Sequence, residues 1–322
     1  MTSQTPKVVY GAYPLATLSQ EDRDAVYKIL DKHNIAELDT ARIYPGSEEA
    51  LGKQDAGKKY KIDTKAAGFS ENSNNDAGIR KSIKESLELL KLDKVYIYYL
   101  HSPDPSTPLE ETLATINELY KAGKFEKFGI SNYTASDVRK IYEIAKKNGY
   151  PLPSVYQGNY NAFARKIEDD LFPVLRELNI TFYAYSPIAG GFLARSRQQI
   201  EEAAEGGRFD PSSFIGQMYR QLYAKPSLLK ALEEWEQIAE SEGISKVSLA
   251  YRWVAYHSEL SGKYGDAFIL GARTPQQLEQ TLEALAEGPL SAEAAKKVRS
   301  LWELIKDEAP IDNYVVSAEL KK

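Results

Sequence analysis

The chain has 322 residues, 43% of them hydrophobic, a formal net charge of -5 and no cysteine. Without cysteine there are no thiol nucleophiles, disulfides or thiolate zinc sites, and the mild acidity provides no basic field for nucleic acid. No apolar run is long enough to cross a membrane and MTSQTPKVVYG has no charged-then-apolar leader pattern. A cytoplasmic protein without a membrane partner is therefore expected.

In chain order, strand-like runs fall at 8–11, 36–39, 60–65, 95–101, 127–131, 155–157, 181–185 and 267–270. Between them lie amphipathic stretches such as GIRKSIKESLELLKL, TLATINELYKAGK, ASDVRKIYEIAKKNG and LLKALEEWEQIAESEG. Their apolar residues recur at helical spacing, and Lys and Glu interleave on the faces left for solvent. Strand-helix alternation implies parallel strands, and eight such units suit a closed (β/α)₈ TIM barrel. One domain over 1–322 is expected, with C-terminal helices after the last strand. The stretch 186–226 is far longer than an ordinary βα connection, and on the strands' C-terminal face it would serve as a lid.

Four polar residues sit where strand-like runs break into loops: Asp39 and Tyr44 in AELDTARIYPGSE, Lys65 in YKIDTKAAGF and His101 in VYIYYLHSPD. In one parallel barrel these positions converge on a single mouth. A phenol of ordinary pKa about 10 is a poor proton donor or acceptor at neutral pH unless a cation stabilises its phenolate. Lys65 could supply that cation, Asp39 could hold it, and His101 could orient a substrate oxygen beside the phenol. Taken singly, Asp39 could be a buried ion-pair partner, Lys65 a strand-end charge and His101 a core imidazole. Tyr44 is one of 22 tyrosines, so only its place selects it. His33 and His257 fall at helix ends and read as surface residues. Neither the acidic nor the His spacings suggest a metal site.

With these residues, the segments YLHSPDPSTPLEETLATINELYKAGKFEKFGISNY and AYSPIAGGFLAR resemble the aldo-keto reductases. Within that superfamily the aflatoxin-aldehyde reductase branch and its fungal relatives look most similar, and the potassium-channel β-subunits are more distant. The resemblance runs along nearly the whole chain. It maps an Asp, Tyr, Lys and His tetrad onto Asp39, Tyr44, Lys65 and His101. It implies NADP(H) as cofactor, with Ser131, Asn132 and Gln157 at the nicotinamide carboxamide and Tyr185 stacked on the ring. Ser186, Gly191 and Leu193 belong to a loop that would fold over the cofactor, with Gly190 and Gly191 permitting close approach and Arg195 or Arg197 reaching the pyrophosphate. In ILGARTPQQLEQTLEAL, Gly271, Arg273, Gln277 and Gln280 would grip the adenosine phosphate, Arg273 favouring NADPH.

The expected activity is NADPH-dependent reduction of aldehydes, or of ketones, to alcohols, with hydride from the nicotinamide and a proton from Tyr44. Two departures are visible. Gln280 and Thr281 stand where relatives place an acidic residue and an Asn against the adenine, and the tail IDNYVVSAELKK lacks an Arg for a substrate carboxylate, leaving Arg220 as a substitute. Tyr13, Phe214, Tyr219 and Tyr223 are available to line an apolar mouth. Ser131 and Asn132 could instead cap the next helix, as Thr134 could. Two other functions stay open: a cofactor-sensing regulatory or binding subunit on the same fold, and a Schiff-base lyase with Lys65 as nucleophile. The partner expected in either enzyme is a small carbonyl compound, and a homo-oligomer is compatible with the sequence.

Overall fold

A computed structural model describes residues 5–203 and 205–321. Its parallel strands are β1 Lys7–Gly11, β2 Glu37–Asp39, β3 Lys61–Lys65, β4 Val95–Leu100, β5 Phe125–Ser131, β6 Pro153–Asn159, β7 Thr181–Tyr185 and β8 Ala267–Leu270. Each pairs with the next and β8 closes on β1, which makes the expected (β/α)₈ TIM barrel. Runs such as VVY, VYIYYL and AFIL are β-branched or aromatic and buried, as strands covered on both faces require. β6 begins two residues earlier than expected because Pro153 takes the first strand position, where a missing N–H is tolerated.

Two cores result. Helices on the outside cover the larger one, while Val9, Ile97, Tyr99, Val155, Tyr183, Ala267 and Ile269 pack inside the barrel. Side chains alternate along a strand, so Glu37 and Asp39 share the inner face of β2, and Asp63 and Lys65 that of β3. The register aligns Asp39 with Asp63 and Lys65 with Tyr99. Side-chain caps start the helices that follow: Thr134 accepts from the Asp137 N–H, and Thr274 from that of Gln277.

The connection after β7 differs from a bare lid. It holds a 3₁₀ segment, Ala189–Ala194, and the helices Arg197–Glu201 and Phe214–Tyr223, before Pro226–Glu242 and Lys246–Tyr256 lead to β8. Apolar contacts pin it: the Phe192 and Tyr223 rings stack 5.6 Å apart, and the Trp235 indole donates to the Leu193 carbonyl at 3.0 Å. After β8 come Pro275–Ala286, Ala292–Ile305 and Asn313–Leu320, the expected C-terminal helices. The last is tied across the mouth, with the Asn313 N–H bonded to the Tyr185 hydroxyl at 3.2 Å and Lys321 to the Phe69 carbonyl at 2.6 Å. Among the described residues no helix is long and apolar enough to cross a membrane.

Candidate active site

At the C-terminal ends of β2 and β3, Lys65 Nζ lies 2.7 Å from each Asp39 carboxylate oxygen and 2.6 Å from the Thr40 carbonyl. Lys65 is fully buried, so these three acceptors take all of its ammonium hydrogens. The Gln157 amide adds a third donor to Asp39, at 2.9 Å. Burial pushes the Asp39 carboxyl above its usual value, and the Lys65 ammonium and the donors from Lys65 and Gln157 pull against that rise.

Tyr44 follows in the turn after β2, with its ring centroid 5.4 Å from Lys65 Nζ. The sequence predicts that this ammonium favours the phenolate. The structure points the other way: burial first, then the Asp39 carboxylate, raises the phenol well above its ordinary value, with only Arg208 opposing. Asp39 neutralises Lys65 at close range, which leaves little net field for the phenol. His101, one residue beyond β4, sits edge-on to Tyr44 at 5.9 Å. Burial and then the Lys65 ammonium hold its imidazole well below the usual range, so the ring is neutral at physiological pH. All four tetrad positions therefore come together.

Aromatic rings wall this point. Tyr13 meets Tyr44 at 5.5 Å, Phe69 meets His101 at 5.1 Å, and Tyr314 of the last helix meets Phe69 at 6.1 Å. Phe69 and Tyr314 carry no sequence signal, because an aromatic in a loop and one near a chain end look like any others. Of the other expected mouth residues, Phe214 is exposed, whereas Tyr223 is fully buried and bonded to Asn159 and Asn161, a core position.

Ser131, Asn132, Gln157 and Tyr185 sit side by side on β5, β6 and β7 or just beyond. Because Thr134 caps the next helix, Ser131 and Asn132 are not its caps. Asn132 adopts a left-handed backbone (φ 64°) that Asn tolerates, and donates to the His101 carbonyl at 2.9 Å and to Ser131 Oγ at 3.1 Å. Its side-chain oxygen accepts from the Tyr185 hydroxyl.

The β7 loop departs from expectation in detail. Ser186 is left-handed at φ 54°. Gly190 and Gly191 also take positive φ, and the groups closest to them are the Tyr219 ring and the Arg195 guanidinium. Arg195 donates to the Gly191 carbonyl at 2.6 Å. Leu193 is buried and offers only its backbone, which Trp235 engages. Arg197 is paired at the surface with Glu201 at 2.8 Å and Glu233 at 3.1 Å, whereas Arg195 is the one of the two that bonds the glycine loop. Arg220 donates to the Ile200 carbonyl at 2.8 Å.

After β8, Gly271 faces open space, and Arg273 is exposed without an ion pair among the described residues. The Gln277 side chain instead accepts from the Arg273 N–H at 3.1 Å, while Gln280 is exposed. Thr281 is buried and bonded back to the Gln277 carbonyl, so it faces the core. Arg273 and Arg208 are close enough to depress the Arg195 guanidinium after burial does. Arg195 thus feels the charge of two further guanidinium groups, an arrangement that fits a multiply charged anion such as a dinucleotide phosphate. His33 and His257 are half-buried rather than surface residues: His33 contacts Glu279 at 3.4 Å, and His257 accepts from the Leu290 N–H at 2.9 Å.

The profile of the Aldo/keto reductase family matches residues 7–303. "Oxidoreductase sirO" of Leptosphaeria maculans is 42% identical over 284 residues, covering 88% of this chain and 86% of that protein. "Aflatoxin B1 aldehyde reductase member 2" of Homo sapiens is 38% identical, covering 85% and 80% respectively. "Aldo-keto reductase family 7 member A3" of Homo sapiens is 36% identical over 321 residues, covering 95% and 96%.

Proposed function

The chain belongs to the aldo/keto reductase family and is an oxidoreductase, and from that premise we propose that it reduces aldehydes, and ketones of similar shape, with NADPH. The observation that carries this reading is the Lys65–Asp39 pair, 2.7 Å apart and buried beneath the Tyr44 ring. Bound NADPH would supply hydride to the carbonyl carbon.

The chain's own groups do the rest. Tyr44 holds the proton destined for the carbonyl oxygen, and its raised pKa keeps that proton in place at neutral pH. Neutral His101 donates an N–H to the same oxygen and so orients the carbonyl. Asp39 and Lys65 fix the floor of the site, with the Lys65 ammonium 5.4 Å from the Tyr44 ring centroid. Ser131, Asn132 and Gln157 hold the carboxamide, and the half-exposed Tyr185 ring backs the nicotinamide. The backbone of Ser186, Gly191 and Leu193 with Arg195 and Arg208 receives the pyrophosphate. Gly271, Arg273, Gln277 and Gln280 receive the adenosine phosphate.

A lysine with all three hydrogens engaged has no free electron pair for attack, which argues against an imine at Lys65. The test is oxidation of NADPH and of NADH, followed by loss of reduced-nicotinamide absorbance, against aldehydes including 4-nitrobenzaldehyde and succinic semialdehyde. Aldehyde-dependent oxidation faster with NADPH is expected. Absence of turnover across the panel with cofactor still bound would favour a cofactor-sensing subunit.

A further inference from the structure

Beneath the Asp39–Lys65 pair, the barrel holds a second set of charges that the reduction does not use. Lys7, 43% exposed at the N-terminal end of β1, bonds Glu37 at 2.7 Å and also the Tyr183 hydroxyl. Glu37 and Asp63 are buried, at 4% and 0% exposure. Glu37 Oε1 and both Asp63 oxygens receive no hydrogen bond from any described residue. Both side chains point into the barrel from neighbouring strands, and the Glu37 carboxyl lies close enough to act on that of Asp63.

Two carboxylates in contact, with three oxygens lacking a donor, cannot both be ionised inside a protein: each orphan would cost the full penalty of an unpaired buried acceptor, and like charges repel. One proton removes the conflict, because a carboxylic acid has an O–H to donate. Charge balance asks for the same proton. Lys7 and Lys65 are cations, and Asp39, with three donors, is a satisfied anion. With a single further negative charge on the Glu37–Asp63 pair the interior is neutral.

We propose that Glu37 and Asp63 share one proton, forming a buried carboxyl pair that holds the charge beneath Lys65 and Tyr44 constant, and so acts as a positioning pair. Asp63 carries the proton and donates it to Glu37 Oε1, whose sister oxygen accepts from Lys7. The groups around Asp63 leave no other source for that hydrogen bond: they are Lys7 of β1, Glu37 and Asp39 of β2, Lys65 of its own strand, Tyr99 of β4 and Tyr183 of β7. The Tyr99 hydroxyl makes no hydrogen bond, and Tyr183, whose oxygen accepts from Lys7, donates to none of the three unbonded carboxyl oxygens. Burial, then the Glu37 and Asp39 charges, holds the Asp63 carboxyl well above the usual range, in the same direction.

The pair makes an unusual prediction for Asp63→Asn and Glu37→Gln. Either single substitution leaves one negative charge on the pair, since the remaining carboxyl ionises, whereas the double substitution leaves none. The basic limb of the kcat profile, which follows the Tyr44 proton in the proposed reductase, should coincide for wild type and both single variants. It should move to lower pH by about one unit in the double variant, as loss of a nearby anion makes the phenol more acidic. Shifts in both single variants that sum in the double would mean two ionised carboxylates, and an unmoved double would mean a neutral pair. Either result overturns the proposal.

A second measurement needs no turnover and so separates failure of this proposal from failure of the reductase reading. Difference infrared spectra at neutral pH should show a protonated carboxyl band in wild type that is missing from each single variant. In thermal unfolding, a carboxyl whose folded pKa is raised gives up stability as pH rises from its unfolded value near 4. Asp63→Asn should therefore equal wild type near pH 4 and exceed it increasingly toward pH 8. Loss of stability in Asp63→Asn at neutral pH, with no band lost, would show an ionised Asp63 satisfied by a bound cation and would overturn the shared proton.

Discussion

The Tyr185 hydroxyl at the end of β7 donates a 2.8 Å hydrogen bond to the side-chain oxygen of Asn132, just beyond β5. The same hydroxyl accepts from the Asn313 N–H at 3.2 Å, and Asn132 reaches on to the His101 carbonyl at 2.9 Å. One phenol thus ties the last helix to the strand end that carries His101, and its ring is fixed by bonds at its far tip.

Tyr185→Phe separates the tie from the ring. It keeps the aromatic face but leaves Asn132 Oδ1 without a donor, so unfolding free energy should fall by about 1–2 kcal/mol, while affinity for the nicotinamide cofactor changes by less than about threefold. Denaturant unfolding and a fluorescence titration with NADPH read the two effects. Tyr185→Ala should lose both stability and affinity. A large affinity loss in Tyr185→Phe would move the cofactor contact from the ring to the hydroxyl.

Tyr44→Phe deletes the proposed acid and keeps the ring against Tyr13 and His101, so turnover should drop at least about 100-fold with cofactor binding retained. Turnover near wild type would remove Tyr44 from the mechanism. Lys65→Met strands the buried Asp39 carboxylate, at about 3–5 kcal/mol. For that reason the informative variant is Lys65→Met with Asp39→Asn, which should recover folding without recovering turnover.

Much of this was readable from sequence for a physical reason. β7 and β8 run over the residues expected, because apolar, aromatic-containing runs of four or five residues are too short for a buried helix. Asp39, Lys65 and His101 fall at strand ends, where a parallel barrel gathers side chains from distant parts of the chain. The Glu37–Asp63 pair was hidden because each residue reads as one more polar position beside an obvious functional one, and only pairing of β2 with β3 brings both inward-facing carboxyls into the same layer of the barrel. Phe69 and Tyr314 meet through the docking of the final helix, which no local pattern encodes. Arg220 and Arg197 looked as available as Arg195 and Arg273, since a cation's partner is decided by folding of the loop.

His101 should leave a mark on stability as well as activity. Its folded pKa is depressed, so below the ordinary imidazole value of about 6.5 the unfolded chain takes up a proton that the folded one refuses. Stability contributed by neutral His101 is therefore complete above that value and drains away as pH falls toward the folded pKa. Thermal unfolding of wild type should drop between about pH 7 and pH 5, and His101→Asn, which cannot titrate, should show a smaller drop. Equal slopes would mean that the imidazole titrates freely in the fold.

In the proposed reductase, cofactor choice would rest on a cation that has no ion pair. Arg273 is exposed, has no ion pair among the described residues, and lies close enough to Arg195 to be felt by it. If it meets a phosphate present in NADPH and absent from NADH, Arg273→Ala removes a charge-assisted contact of about 1.5–3 kcal/mol, so NADPH affinity should weaken about 10- to 100-fold while NADH affinity holds. Arg208→Ala should weaken both cofactors together, because a pyrophosphate is common to the two. Direct titration of each variant with each cofactor separates these cases, and repeating it at higher salt should shrink both effects, as screening of partly exposed charges requires. Equal losses for NADPH and NADH in Arg273→Ala would place that side chain at the shared phosphates and leave the preference for NADPH without a residue to support it.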